Sequence, residues 1–185
     1  MARGNFTKRK SNTYELFDTY GVCHMSHGKS FLFDLEDLPH VQAHYWTVNS
    51  EGYAVSYYFT RNEDNKRVHH TLRFHRLVMN PPEDMDVDHI FGDKLDNRKS
   101  KMRICTSHEN DYNHDAPKNN TSGYVGVSQL ASGKGWRAYI TKFGKQIHLG
   151  CFEDIKDAIV ARQAAEIHYY GEFSRSSLRE EVANA

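Results

Sequence analysis

Apolar and polar residues alternate in short runs over the first 74 positions, which is the pattern of strands half-buried on one face. The runs are Tyr14-Glu15-Leu16-Phe17, Ser30-Phe31-Leu32-Phe33-Asp34, His44 to Val48, Tyr53 to Phe59 and Val68 to Phe74. Asn49 to Gly52 and Asn62 to Lys66 carry the Asn, Asp and Gly chemistry of turns. Gly21 to Gly28 reads as a further turn region, and Leu35 to Leu38 as a short helical or irregular piece ended by Pro39. The many aromatic side chains of this stretch are expected in a core rather than on a base-stacking platform.

Pro81-Pro82 then turns the chain into a second pattern. Met85 to His89 alternates as a strand, and a Gly- and Asp/Asn-rich turn runs from Phe91 to Asn97. Met102 to Cys105 reads as the next strand. Thr106-Ser107-His108-Glu109 has the capping-box form, so a helix starts there with Asn110 and His114 one turn apart on one face. Asn113 to Ser122 is linker-like. Beyond it, Tyr124 to Gln129, Trp136 to Lys142 and Lys145 to Cys151 read as strands. A helix from Ile155 to Tyr170 follows, with Asp154 as N-cap and Gly171 as its stop. Alternation sets Val125, Val127, Ala138, Ile140, Ile147 and Leu149 against that helix. Ser128, Arg137, Tyr139, Thr141, Gln146 and His148 then line the other face.

Composition narrows the class. In 185 residues, 26% charged and 12% aromatic, no apolar run approaches the ~18 residues of a membrane span. The start, MARGNFTKRK, is basic without an apolar stretch behind it, which reads as an arm rather than a secretory signal. Cys23, Cys105 and Cys151 are odd in number and widely spread, so reduced thiols and a cytoplasmic location are expected. The 24 basic and 24 acidic residues cancel, but they are unevenly placed. From Lys118 to Gly150 there is no Asp or Glu, while Lys118, Lys134, Arg137, Lys142 and Lys145 are basic.

Asp88, His89, Asn110 and His114 come from the strand, loop, strand and helix of the central stretch. Oxygen and imidazole donors on so compact a frame suit a hard divalent cation beside a general base. Asp88 and His89, as strand neighbours, serve one site only where the strand ends and the chain bends, which Gly92 permits. His69, His70 and His75 are read as packing or phosphate-facing.

The central stretch resembles the HNH, or ββα-metal, nuclease motif of phage and intron homing endonucleases. The lead-in is Phe74-His75-Arg76-Leu77, the block runs from Val87 to Arg98, and the helix carries Glu109-Asn110. The resemblance implies a site-directed endonuclease acting on double-stranded DNA. His89 would be the general base, and Asp88 and Asn110 the ligands of one Mg²⁺ (or Mn²⁺), with His114 a further ligand or phosphate contact. One site per chain implies a monomer on DNA that nicks one strand. One position departs from the family. Lys101 stands where an asparagine usually braces the loop that orients the histidine, which makes Asn97, close by, and Lys101 further members of the catalytic set. A second reading follows from that departure, a DNA-binding regulator or repressor derived from such a nuclease with impaired catalysis.

The last unit resembles the AP2 DNA-binding domain through Gly123 to Val127, Trp136-Arg137-Ala138, Ile147 to Gly150, Phe152 and the alanine-rich helix ending near Tyr170-Gly171. That likeness implies a DNA face of Lys134, Arg137, Tyr139, Thr141, Gln146 and His148; Lys142, Lys145 and, in the lead-in, Arg76 are further expected DNA contacts. The expected architecture is α+β. A basic arm (1–10) precedes a β-rich lead-in and HNH domain (11–115), then a linker (116–122). A three-stranded antiparallel sheet with one helix (123–175) and a tail (176–185) complete the chain. Such a protein fits a phage-encoded product working inside its host cell.

Overall fold

The computed structural model describes residues 11–113 and 120–174. The basic arm, His114, linker residues 116–119 and the tail lie outside them. The fold is mixed α+β, built from small antiparallel sheets and few helices, and its contacts divide it into two compact units. The first comprises the described residues through His89 together with Asp93–Ile104; the second comprises Ile90–Gly92 and the described residues from Cys105 onward.

In the first unit, strands β1 (Thr13–Leu16), β2 (Tyr20–His24) and β3 (Ser30–Asp34) form an antiparallel sheet in chain order. The first half of the region expected as a turn, residues 21–24, is thus strand, and the turn is confined to Ser26–Gly28. Gly21 is there for a close approach: a Cβ on it would lie 2.3 Å from the Phe33 ring. Its lack of a side chain serves packing rather than a bend. Helix α1 (Leu38–Ala43) follows, and Pro39 sits in its first turn instead of ending a helix. Proline suits that place because the first helical N–H groups have no partner to lose.

Strands β4 (Thr47–Val48), β5 (Ala54–Arg61) and β6 (Arg67–Arg73) make a second antiparallel sheet, and helix α2 (Phe74–Met79) leaves directly from β6. Phe31, Phe33, Trp46 and Phe74 interlock with Cys23, Met25, Val41 and Ala54 as the core. Trp46 donates its indole N–H to the Val41 carbonyl at 3.1 Å, so the one polar atom of the ring is satisfied. Tyr57, Tyr58 and Phe59 correct the expectation of buried aromatics, because they are 61%, 46% and 50% exposed. Strands β7 (Asp86–His89) and β8 (Met102–Cys105) pair as a hairpin.

The second unit opens with helix α3 (Ser107–Asn110), whose capping box is complete. The Glu109 N–H donates to Thr106 Oγ1 at 3.3 Å, and the Thr106 N–H donates to the Glu109 carboxylate at 2.8 Å. Strands β9 (Val127–Gln129), β10 (Trp136–Lys142) and β11 (Lys145–Phe152) form an antiparallel sheet with β10 in the middle. The first strand is shorter than expected, because Gly123 just before the expected run and Gly126 within it hold left-handed turns with φ of 75°. Helix α4 (Ile155–Tyr170) covers Val127, Ala138 and Ile140 with Ala158, Ala165 and Tyr170, and stops at Gly171 as expected. Arg162, on α4, is buried and donates Nε–H to the Val125 carbonyl at 3.0 Å.

Candidate active site

Strand β7 delivers Asp88 and His89, both 5% exposed, and ends at His89. The two side chains have separate partners. Arg103 on β8 donates from Nε and Nη2 to Asp88 Oδ2, at 2.9 and 2.7 Å. This buried charge pair went unread in the sequence. Its signal was a single arginine on the strand that pairs with β7.

His89 meets Asn97, whose side chain is wholly buried. His89 Nε2 lies 3.2 Å from Asn97 Oδ1. An amide oxygen only accepts, so Nε2 carries the ring proton and donates it, and Nδ1 is the basic nitrogen. Asn97 Nδ2 is buried and has no hydrogen-bond partner among the described residues, an unmet donor of a kind that folded proteins seldom keep.

Long-range bonds to β3 hold the loop that presents Asn97. The Asn97 N–H donates to the Leu32 carbonyl at 3.0 Å, and the Leu32 N–H donates to the Leu95 carbonyl at 2.8 Å. The Lys99 N–H donates to the Asp34 carboxylate at 2.7 Å, and the Lys99 ammonium pairs with Glu36 and Asp37. Within the loop, Arg98 clasps Asp96 through two bonds of 2.8 and 2.6 Å. Burial alone would raise the Asp96 carboxyl, but the bonds and charge of Arg98, with Lys101 adding to them, hold it below the usual range. Lys101 itself lies in the helical turn Lys99–Lys101 just before β8, its charge felt at Asp96.

A second histidine backs the first. His75, in the first turn of α2, is 5% exposed and packs edge-on to His89, with ring centres 5.4 Å apart. Tyr53 touches both rings, at 4.7 Å from His75 and 5.9 Å from His89, and Lys94 sits 4.6 Å over its own ring. Burial, helped by the charges of His89, Arg73 and Arg76, pushes the His75 imidazole down to about 3. Burial also lowers His89, against the opposing pull of the Asn97 bond and of Asp88, Asp93 and Asp96. His89 is therefore a neutral imidazole at pH 7, the form a base requires. The expectation of a packing role for His75 fits its burial, whereas His69 is exposed and His70 stacks on Tyr58 at 4.9 Å.

The remaining expected residues are distributed as follows. Asn110 ends α3 in the second unit, its N–H on the Thr106 carbonyl at 3.0 Å, and His114 is outside the described residues. Arg76 is half-buried and engaged with the Met85 carbonyl (3.0 Å) and Asp86 (3.5 Å). On the second unit's sheet, register pairs Tyr139 with His148 and Thr141 with Gln146, so these four side chains share one face. Arg137 joins them, its guanidinium 5.4 Å from the Tyr139 ring. Lys142 and its cross-strand partner Lys145 fall on the other side, with Ile140 and Ile147. Lys142 Nζ accordingly lies 5.4 Å over Tyr169 of α4.

Comparison with known proteins adds two relatives. Over 176 residues, 89% of this chain and 86% of the relative, the sequence is 28% identical to a protein of Acanthamoeba polyphaga mimivirus named an uncharacterized HNH endonuclease. Over 96 residues, 51% of this chain and 77% of the relative, it is 33% identical to Protein 3.8 of Escherichia phage T7. The chain belongs to the family of Protein 3.8. No family model and no solved structure matches it. The mimivirus alignment covers most of the chain, so it extends over more than one of the two units.

Proposed function

We propose that this protein is a DNA endonuclease of the HNH kind, hydrolysing phosphodiester bonds with His89 as general base. One observation carries the reading above the rest. His89 is buried and neutral, and its Nε2 is tied to the amide oxygen of Asn97, an asparagine the surrounding β3 contacts hold in place. That arrangement fixes the tautomer with Nδ1 basic, as deprotonating a water for in-line attack demands. In this reading Asn97 is the brace that Lys101 does not supply. The name of the mimivirus relative supports the same class.

A divalent cation belongs to this reading. Asp88 offers a buried carboxylate, a hard donor that fits Mg²⁺ or Mn²⁺, and Asn110 and His114 remain the oxygen and imidazole donors that the resemblance implies. Among the described residues no three His, Cys, Asp or Glu side chains form a protein cage. Magnesium needs none, because it keeps waters and takes phosphate oxygens as ligands. When bound, it supplies neutralisation of the charge that develops on the phosphate and the leaving oxygen. Arg103 orients Asp88, Asn97 orients His89, and the Arg137 face of the second unit grips the duplex. The substrate is double-stranded DNA, cut one strand at a time by a monomer in a homing-type manner.

One observation favours the second reading, a DNA-binding regulator. Arg103 donates from both Nε and Nη2 to Asp88 Oδ2, an oxygen that a cation ligand would have to offer. A supercoiled-plasmid assay with Mg²⁺ or EDTA separates the two. The nuclease reading expects metal-dependent nicking that His89→Ala abolishes with DNA binding retained. Binding without nicking at any metal concentration would leave the regulator.

A further inference from the structure

We infer that the β5–β6 hairpin is a second DNA-contacting element, which lies along the duplex beside the cut. For its substrate the inference rests on the nuclease reading above. The hairpin rises out of the first unit: Ala54, Val55 and Ser56 are buried, and every residue of β5 from Tyr57 to Arg61 is exposed. Three consecutive aromatics in water, Tyr57, Tyr58 and Phe59, are an unusual surface for a lone ribbon, and such patches mark binding sites.

Register sorts the ribbon into two faces. Tyr57 pairs with Thr71, Phe59 with His69 and Arg61 with Arg67, so these six side chains point the same way. That face holds two aromatics, two arginines and a histidine, and no acid. The Arg67 guanidinium lies 4.5 Å over the Phe59 ring, which stiffens both for contact. On the other face Tyr58 stacks on His70, and Thr60 hydrogen-bonds His70 at 2.7 Å. Glu63 and Asp64 are confined to the turn at the tip, where Asp64 pairs with Lys66 at 3.7 Å.

A basic, aromatic, two-stranded ribbon matches a duplex in charge and in width, since the major groove admits such a ribbon. Its root meets the active site directly. Tyr53, just before β5, packs on His89, and Arg73, the last residue of β6, precedes Phe74 and His75 of α2. The seven residues from Val55 to Arg61 extend about 20 Å at the rise of a strand, which spans about six base pairs at 3.4 Å each. The contacts are thus expected within about six base pairs of the scissile phosphate, on one side of it.

The test uses the full-length protein and a 40-base-pair duplex carrying 5-iodouracil, in EDTA so that nothing is cut. Affinity is measured by anisotropy over a salt series for wild type, Tyr57→Ser/Phe59→Ser and Arg61→Gln/Arg67→Gln. All four positions are exposed, and circular dichroism melting checks that both variants fold as wild type. The expected result is about tenfold weaker binding by either variant. The arginine variant should also show a log–log salt slope smaller by about two, at ~0.9 per lost phosphate contact. Photo-cross-links to Tyr57 or Phe59 are expected in wild type. Unchanged affinity and slope in both variants, with cross-links elsewhere in the chain, would overturn the hairpin's role and leave the nuclease reading standing. Loss of self-association in the variants, with DNA affinity unchanged, would show that the ribbon pairs with a second copy and would overturn it as well. A wild type that binds no duplex at low salt would sink both readings together.

Discussion

His89 Nε2 lies 3.2 Å from Asn97 Oδ1, and both side chains are out of solvent. The contact decides which ring nitrogen of His89 is basic, and it is made by a residue eight positions further on, carried there by hydrogen bonds to β3. Asn97→Ala removes the acceptor and leaves the ring free to adopt the other tautomer. Nicking should fall by about 10–100-fold, the range seen when partners that orient a working histidine are lost. DNA affinity should stay within about twofold of wild type. Asn97→Gln, which keeps the amide at a different reach, is expected to recover part of the rate in the same plasmid assay.

Arg103 and Asp88 are a buried pair, with side chains 13% and 5% exposed. Removing one partner takes from the other its close opposite charge. Arg103→Met should destabilise the fold by about 3–5 kcal/mol, read as a drop in the urea midpoint at unchanged m-value. Asp88→Asn added to it removes the carboxylate charge that Arg103 had balanced and should restore most of that loss. A double variant no more stable than Arg103→Met would show that the pair is not what holds β7 to β8.

The sheet face of the second unit makes a separate prediction about affinity. Arg137→Ala should weaken duplex binding by about 1–3 kcal/mol if the guanidinium reads a base edge, while leaving the nicking rate at saturating protein unchanged. Lys142→Ala is the contrast. Its ammonium lies over Tyr169 on the helix side, so it should change affinity little. Gel-shift titration of both variants against one duplex distinguishes the two faces.

What could be read in advance was local. The capping box of Thr106 and Glu109 and the Asp154 N-cap involve neighbours in sequence, and both stand in the structure. The alternation of β10 sorted Ala138 and Ile140 from Arg137 and Tyr139, because a sheet covered by one helix has one dry face. The same logic failed for Tyr57, Tyr58 and Phe59: alternation cannot tell a strand that stays over a core from one that runs past its edge. Gly21 and Pro39 were misread because each has two structural uses, and packing against Phe33 or a helix start is invisible locally. The His89–Asn97 contact and the Arg103–Asp88 pair join residues 8 and 15 positions apart, set by tertiary structure.

Gly126 offers a test of the second unit's packing. Its φ is 75°, and a Cβ there would sit 2.3 Å from the Tyr139 carbonyl oxygen and 2.4 Å from Arg162 Nε. Gly133 has nearly the same φ, 72°, with nothing within 4 Å. Gly133→Ala should therefore show backbone strain alone, about 1 kcal/mol. Gly126→Ala adds the steric conflict and should lower stability by several times that. Equal melting temperatures for the two variants would mean the Arg162 contact yields without consequence.

His75 gives the protein an acid sensitivity whose sign follows from its burial. The imidazole titrates near 6.5 when unfolded and at about 3 in the fold, so the unfolded chain binds the extra proton first. The stability associated with neutral His75 is complete above pH 6.5 and is lost progressively as the pH falls from 6.5 toward 3. The slope is at most about 1.4 kcal/mol per pH unit for this one group. His75→Phe keeps the ring packed between Tyr53 and His89 and removes the proton site. Its urea-unfolding free energy should fall less steeply than wild type between pH 6 and 4, by close to one proton's slope. Parallel curves for the two proteins would place the acid sensitivity on other groups and show that His75 is not held neutral by the fold.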